Sequence, residues 1–294
     1  MTCKTTRLRF FSMLAGTLFL CAAWNINSAP VMAQQAPQPN ALAAKLTEDA
    51  GCRGGLVVHL GCGDGVLTAA LRSADSYLVH GLDVDSEKVE KARAHIRSLG
   101  VYGPVSVDAF DGKSLPYADN LVNLLVAEEL AGVTMAEVMR VLAPGGTACI
   151  LADGRWTQQV KPWPAEIDQW THHLHDAGGN AVAADSVVGP PRHMQWTAGP
   201  RWARSHGWTP SVSAMVSAGG RLFSICDETL PCVDATVPDQ WALVARDAFS
   251  GVLLWKRPIA RWGSRNYSGT PDTGAGVTTG RFTMPPQVGK RLVA

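Results

Sequence analysis

Glycines at positions 61, 63 and 65 are the first residues in this chain whose spacing carries chemistry. They follow the apolar run Leu56-Val57-Val58-His59-Leu60 and precede a helix expected to begin near Val66. Glycine tolerates positive φ and carries no Cβ, so a ligand can approach the backbone closely, next to the positive end of a helix. A carboxylate completes the pattern: Asp83 closes the next apolar run 22 residues after Gly61. An acid at that place accepts from both hydroxyls of an adenosine ribose. Two details argue against a dinucleotide. Its loop wants a third glycine five positions after the first, where this chain has Val66, and Asp64 inside the loop repels a pyrophosphate. The same charge is tolerable beside the ammonium of a bound amino acid, which suits S-adenosylmethionine better.

The elements that must position these residues alternate. Short apolar runs at 56–60, 77–83, 104–108, 121–127 and 147–151 predict five strands. Between the second and third, Val89, Ala92, Ile96 and Leu99 share one helical face, and Gly100 is placed to end that helix. Strand, helix, strand at this spacing predicts an α/β, Rossmann-like domain with a five-stranded parallel core.

Four segments in this order resemble the class I methyltransferase family, closest to the type called methyltransferase type 11: VVHLGCGDG at 57–65, VHGLDVD at 79–85, VDAFDGKSLPYAD at 107–119 and EVMRVLAPGG at 137–146. The resemblance covers about 95 residues and implies S-adenosylmethionine as cofactor. It implies that Gly61, Gly63 and Gly65 line the methionine end, that Asp83 binds the ribose and that Asp108 with Ala109 edges the adenine, with Cys62 and Val84 also among the cofactor-binding residues. It names no catalytic residue and no acceptor. Methyl transfer rests on holding a nucleophile in line with the sulfonium methyl, so it needs no dedicated acid or base. Three departures from the family stand out. His59 occupies a position that is usually acidic, Asn123 replaces the acid of the fourth strand, and the hairpin that completes the family's sheet is not evident before Trp156.

The composition breaks near residue 155. Nine of ten tryptophans lie between Trp156 and Trp262, and Lys161-Pro162-Trp163-Pro164 marks a joint. The expected organisation is a signal peptide at 1–33, a linker at 34–40, the methyltransferase-like domain at 41–155, a linker at 156–168 and an all-β segment at 169–294. Within that last segment Ala245-Arg246-Asp247-Ala248-Phe249-Ser250-Gly251-Val252-Leu253-Leu254-Trp255 reads as strand, turn, strand. It resembles the repeat of pyrroloquinoline-quinone-type β-propellers, with Ser250 replacing a threonine; residues 170–180 and 218–223 resemble further parts of that family. The resemblance implies that Trp255 docks against a neighbouring blade. Residues 166–294 are too few to close a propeller of four blades, so an incomplete, truncated propeller is expected, and no bound quinone.

Lys4, Arg7 and Arg9 precede an apolar run at 10–24 and the small-residue site Val31-Met32-Ala33, which predicts export to the periplasm or outside, with Gln34 as the mature start. The run is shorter than the roughly 20 residues of a spanning helix, so no stable membrane anchor is expected. A net charge of +1 gives no footprint for nucleic acid. Five cysteines remain after cleavage, of which Cys226 and Cys232 either close a short loop or stay as two free thiols. His172, His173, His175 and Asp176 align at most two at a time on a strand or a helix, so no metal site is expected.

Export conflicts with the cofactor, because S-adenosylmethionine is made in the cytoplasm and its fixed charge does not cross a bilayer unaided. Three alternatives stand open: no export, a supplying transporter, or a domain that keeps the fold for another ligand or for none. The leading reading is methyl transfer to an unidentified acceptor; the alternative is an exported non-catalytic scaffold with a degenerate methyltransferase fold and propeller repeats.

Overall fold

A computed structural model describes residues 38–187, 194–201, 212–229, 240–260 and 291–294. The signal segment and Cys232 lie outside them. The described residues cluster as one compact unit.

The first sheet runs β3-β2-β1-β4-β5-β6, from strands β1 (Gly55–Leu60), β2 (Tyr77–Asp83), β3 (Val105–Ala109), β4 (Val122–Ala127), β5 (Leu142–Ala152) and β6 (Arg155–Val160). The first five strands pair in parallel, as expected, and β6 adds an antiparallel edge. Strand order reverses between β1 and β4, and in open α/β sheets the crevice outside the carboxyl ends at such a reversal is where ligands bind. The glycine loop opens into this place.

Helices cover both faces. Helices α1 (Pro39–Asp49), α2 (Val66–Ala70) and α3 (Ser86–Ser98) bury Leu46, Leu71, Val89, Ala92 and Ile96 against Val57, Val79, Val107 and Val126. On the other face α4 (Met135–Val141) sets Val138 and Val141 against Val58, Leu125 and Ala148. The period-2 strands thus split their side chains between two cores. Helix α3 begins as its sequence dictates: the Asp85 carboxylate accepts from Glu87 N–H at 2.9 Å, and Leu99 and Gly100 close its end.

Two of the expected linkers contain regular structure. Helix α1 begins at Pro39, inside the segment 34–40, because proline at the first helical position leaves no needed N–H unpaired. Residues 156–160, expected within the linker 156–168, belong to β6 and pair with β5 from Ala152↔Arg155 to Thr147↔Val160. The core sheet therefore has six strands. Asp153 and Gly154 form its two-residue turn with φ of 50° and 74°, the positive values that a right-twisted hairpin requires. The sheet-completing antiparallel hairpin, not evident in the sequence, is present as β5 and β6.

The second sheet is a four-stranded antiparallel meander, β10-β9-β8-β7, of β7 (Val212–Ala218), β8 (Arg221–Asp227), β9 (Trp241–Asp247) and β10 (Leu253–Pro258). The Asp247 side chain organises the β9–β10 turn: one oxygen accepts from Phe249 N–H at 3.1 Å, Ser250 N–H at 2.7 Å and Ser250 O–H at 2.7 Å. Trp255, expected to dock on a neighbouring blade, is 37% exposed; Arg257 lies 5.3 Å from its ring centroid and Phe223 of its own sheet 6.0 Å away. Cys226 is a buried free thiol. Among the described residues no helix is long and apolar enough to cross a membrane.

The second sheet meets the amino-terminal ends of the first sheet's strands, the pole opposite the glycine loop. Leu254 of β10 packs on Gly54, and Asn123 at the start of β4 donates through Nδ2 to the free oxygen of Asp247 at 2.7 Å. The Oδ1 of the same Asn123 accepts from Leu56 N–H at 2.8 Å. This accounts for the departure at 123: an aspartate there would set two carboxylates face to face, whereas an amide bridges both halves.

Candidate functional site

The loop after β1 turns back because Gly61 N–H and Cys62 N–H both donate to Leu82 O, at 2.8 and 3.2 Å. Gly61, Gly63 and Gly65 adopt φ of 73°, 55° and 82°, where a side chain is strained. Their surroundings differ. A Cβ on Gly61 would meet nothing within 4 Å and one on Gly63 only Gly61 O at 3.9 Å, so both face open space; one on Gly65 would strike Ala92 of α3 at 2.9 Å. Gly61 and Gly63 thus offer open backbone to a ligand, and Gly65 lets α2 dock on α3.

Asp83 is 4% exposed and ties the loop to β2. Its Oδ2 accepts from Gly63 N–H at 3.1 Å and its Oδ1 from Asp85 N–H at 3.0 Å. Each oxygen keeps a lone pair for a further donor, as a pair of vicinal hydroxyls would supply. Cys62 contributes through its backbone alone: its side chain is 3% exposed in the core, and burial together with Asp83 pushes the thiol up to about 12. Val84 is 56% exposed beside the loop and borders Gly112. Ala109 pairs with Asp83 across the strand ends. Asp108 is more constrained than its sequence suggests. Arg93 donates to its Oδ1 at 2.5 Å and His80 Nε2 lies 3.1 Å from its Oδ2, while the Tyr117 hydroxyl lies 2.7 Å from His80 Nδ1. This chain of contacts fixes Asp108 between β2, β3 and the segment after β3.

The rim is net acidic. Asp64, Asp83, Asp85, Asp111, Glu128 and Glu129 all sit at or just after the carboxyl ends of β1 to β4, against Lys88 and Lys113 nearby. Such a field draws a cation and opposes a diphosphate.

His59 is missed as a structural key by its sequence position alone. It is 3% exposed, and its Nδ1 lies 2.8 Å from the Thr68 hydroxyl on α2, pinning β1 to the helix that follows the loop. Burial lowers its pKa from 6.5 to about 4, against the opposing pull of Asp83 and Asp64, so the ring is neutral at pH 7. The unfolded chain protonates the same ring near 6.5 and so binds more protons on acidification. Stability from this group is complete above pH 6.5 and is lost as pH falls to 4, by about 3 kcal/mol. Urea midpoints measured from pH 7.5 to 4 should therefore decline, and His59→Gln should flatten that window. Glu137, lowered to about 2 chiefly by Arg140, acts in a separate window below pH 4.5.

The histidines of the second half are built into a turn. His175 Nε2 lies 2.6 Å from Asp168, its ring meets Trp170 edge-on, and His172 Nδ1 lies 2.9 Å from Thr171 Oγ1. Among the described residues no group of three metal-ligating side chains assembles.

Residues 57–146 match the family model described as a methyltransferase domain. The chain is 36% identical over 100 residues to methyltransferase GfsG of Streptomyces halstedii, a match spanning 32% of this chain and 36% of that protein. It is 26% identical over 178 residues to the 27-O-demethylrifamycin SV methyltransferase of Amycolatopsis mediterranei, across 58% of this chain and 62% of that one. A solved structure of a S-adenosyl-L-methionine-dependent methyltransferase homologue from Methanococcus maripaludis shares 23% identity over 38% of this chain and 53% of that chain, with a TM-score of 0.35. The chain spans less than two thirds of the curated relatives it matches. The match to the methyltransferase-domain model, residues 57–146, runs from the middle of β1 into β5 and takes in the glycine loop and Asp83.

Proposed function

We propose that this chain binds S-adenosylmethionine at the carboxyl ends of β1, β2 and β3 and transfers its methyl group to an acceptor of unidentified class. The observation that carries the reading is the bond from Gly63 N–H to the Asp83 carboxylate, which locks an open glycine loop beside a buried acid with lone pairs to spare. Gly61 and Gly63 would take the methionine end, Asp83 the ribose hydroxyls, and Asp108 with Ala109 the adenine edge. When bound, the cofactor supplies an electrophilic methyl on a sulfonium. The chain's own residues bind and orient it: the acidic rim offsets the sulfonium and ammonium charges, and the neutral, packed His59 holds the loop's base in place. Reaction then rests on alignment of the acceptor with the methyl, with no acid or base required of the protein.

The same proposal extends to the rest of the chain. The segment 1–33 directs export, with a transporter supplying S-adenosylmethionine to the same compartment, and the second sheet with its Asp247 turn is one blade of a propeller of the pyrroloquinoline-quinone type, used as scaffold without quinone. That sheet docks at the pole opposite the glycine loop, so it leaves the cofactor crevice open and takes no part in binding the cofactor.

Competition titration tests the cofactor assignment. S-adenosylmethionine and its demethylated product should displace one another, and millimolar NAD should displace neither. Displacement by NAD at comparable concentration would reverse the assignment.

A further inference from the structure

At the junction of the two sheets lies a cavity of about 310 Å³, at the opposite pole from the glycine loop. Its size falls at the lower end of the range for small-molecule sites, and such sites favour junctions between structural halves. Arg53, from the turn before β1, and Arg221, at the start of β8, both line it. Neither guanidinium makes a hydrogen bond or ion pair among the described residues, and both are exposed. The carboxylate in the lining, Asp247, is already committed on both oxygens, to its own turn and to Asn123. Cys52 nearby is held neutral, its thiol pushed up by burial. Among the described residues the cavity therefore sets two unpartnered guanidinium charges against the single carboxylate charge of Asp247, a net positive lining.

Its wall is aromatic. Trp163 is 40% exposed, meets Phe249 edge-on with centroids 5.8 Å apart, and lies beside Gly220, where even a Cβ would make only ordinary contact with the indole, at 3.4 Å. A flat indole beside two planar guanidinium groups selects for a flat anion: the ring stacks on the aromatic surface, and a guanidinium takes a carboxylate through two parallel N–H donors. We infer that this junction is a second ligand site, separate from the cofactor crevice, which takes a small planar carboxylate of one or two aromatic rings. Because the lining comes from both sheets, an occupant also fastens one half to the other and raises the melting temperature with its concentration.

Titration calorimetry on the full chain tests this with 2-naphthoate and its neutral analogue 2-naphthamide as probes. 2-Naphthoate should bind at one site per chain, with an affinity unchanged by saturating S-adenosylmethionine. Arg53→Gln and Arg221→Gln should each weaken it by about fivefold or more, and the double variant and the neutral amide by about thirtyfold or more. Both arginines are exposed and unpaired, so these variants keep the fold, which circular dichroism verifies. Absence of binding at about 10 mM, equal binding of the amide, or undiminished binding by the double variant would overturn the inference. The inference stands apart from the cofactor assignment, since no residue of the glycine loop enters it.

Discussion

Gly65→Ala should lower the stability of the chain by about 2–5 kcal/mol, while Gly61→Ala should cost about 1–2 kcal/mol and act mainly on ligand binding. Both glycines have positive φ, 82° and 73°, so both substitutions carry the strain of a left-handed non-glycine residue. Only at 65 does the new methyl also meet atoms, Ala92 Cα and Cβ at 2.9 Å and its carbonyl at 3.1 Å. Those atoms belong to a backbone packed in the core, which cannot swing aside as a long side chain would. The consequence is displacement of α2 from α3, seen as a fall of roughly 5–15 °C in the thermal midpoint. At Gly61 the methyl points into empty space, the space a cofactor would fill. Thermal melts and titrations of the two variants should therefore separate a residue that builds the loop from one that borders the ligand. Equal losses of stability at both positions would contradict that division.

The second large effect is expected at the junction. Asn123→Asp should destabilise the chain by about 2–4 kcal/mol at pH 7, since it replaces an N–H donor to Asp247 at 2.7 Å by a second carboxylate. Two carboxylates that close cannot both stay ionised, so one pKa rises in the folded state. The penalty is then present above that raised pKa and fades on acidification, opposite in sign to the loss expected from His59. Limited proteolysis should cut residues 161–187 faster in this variant as the second sheet loosens. The exchange Asn123→Asp with Asp247→Asn restores one donor and one acceptor, keeps an oxygen at 123 for Leu56 N–H, and should recover most of the loss. If the single variant is as stable as the parent, the bridge between the halves carries no weight.

The strands were legible because apolar runs bounded by turns repeat through residues 56–151, and helix α3 because its four apolar positions share a face with an Asp85 cap before them. The seven-residue helix α4 escaped this pattern, and so did two further elements. In α1, Pro39 and the spacing of Leu42, Ala43 and Leu46 carried a helix signal, masked by the Gln, Pro and Ala residues just before it. Strand β6 is largely exposed, so it lacks alternation, and its one sequence signal is the Asp153-Gly154 dipeptide of a tight hairpin. The glycine loop and Asp83 were legible as a pair, since the strand lengths fix where the two chain reversals lie. The roles of the neighbours were not. That Cys62 turns into the core, that Arg93 and His80 hold Asp108, and that Asn123 reaches Asp247 across 124 positions all depend on tertiary packing, which no local spacing encodes.

The central claim is that the loop at 61–65 and Asp83 form one binding site for S-adenosylmethionine, and isothermal titration of the chain with that cofactor tests it most directly. The account predicts heat for a single site. It also predicts that Asp83→Ala weakens binding about ten- to a hundredfold, the loss of charged hydrogen bonds worth about 1.5–3 kcal/mol. No heat from the folded, unmutated chain at millimolar S-adenosylmethionine, or an affinity indifferent to Asp83→Ala, would contradict it.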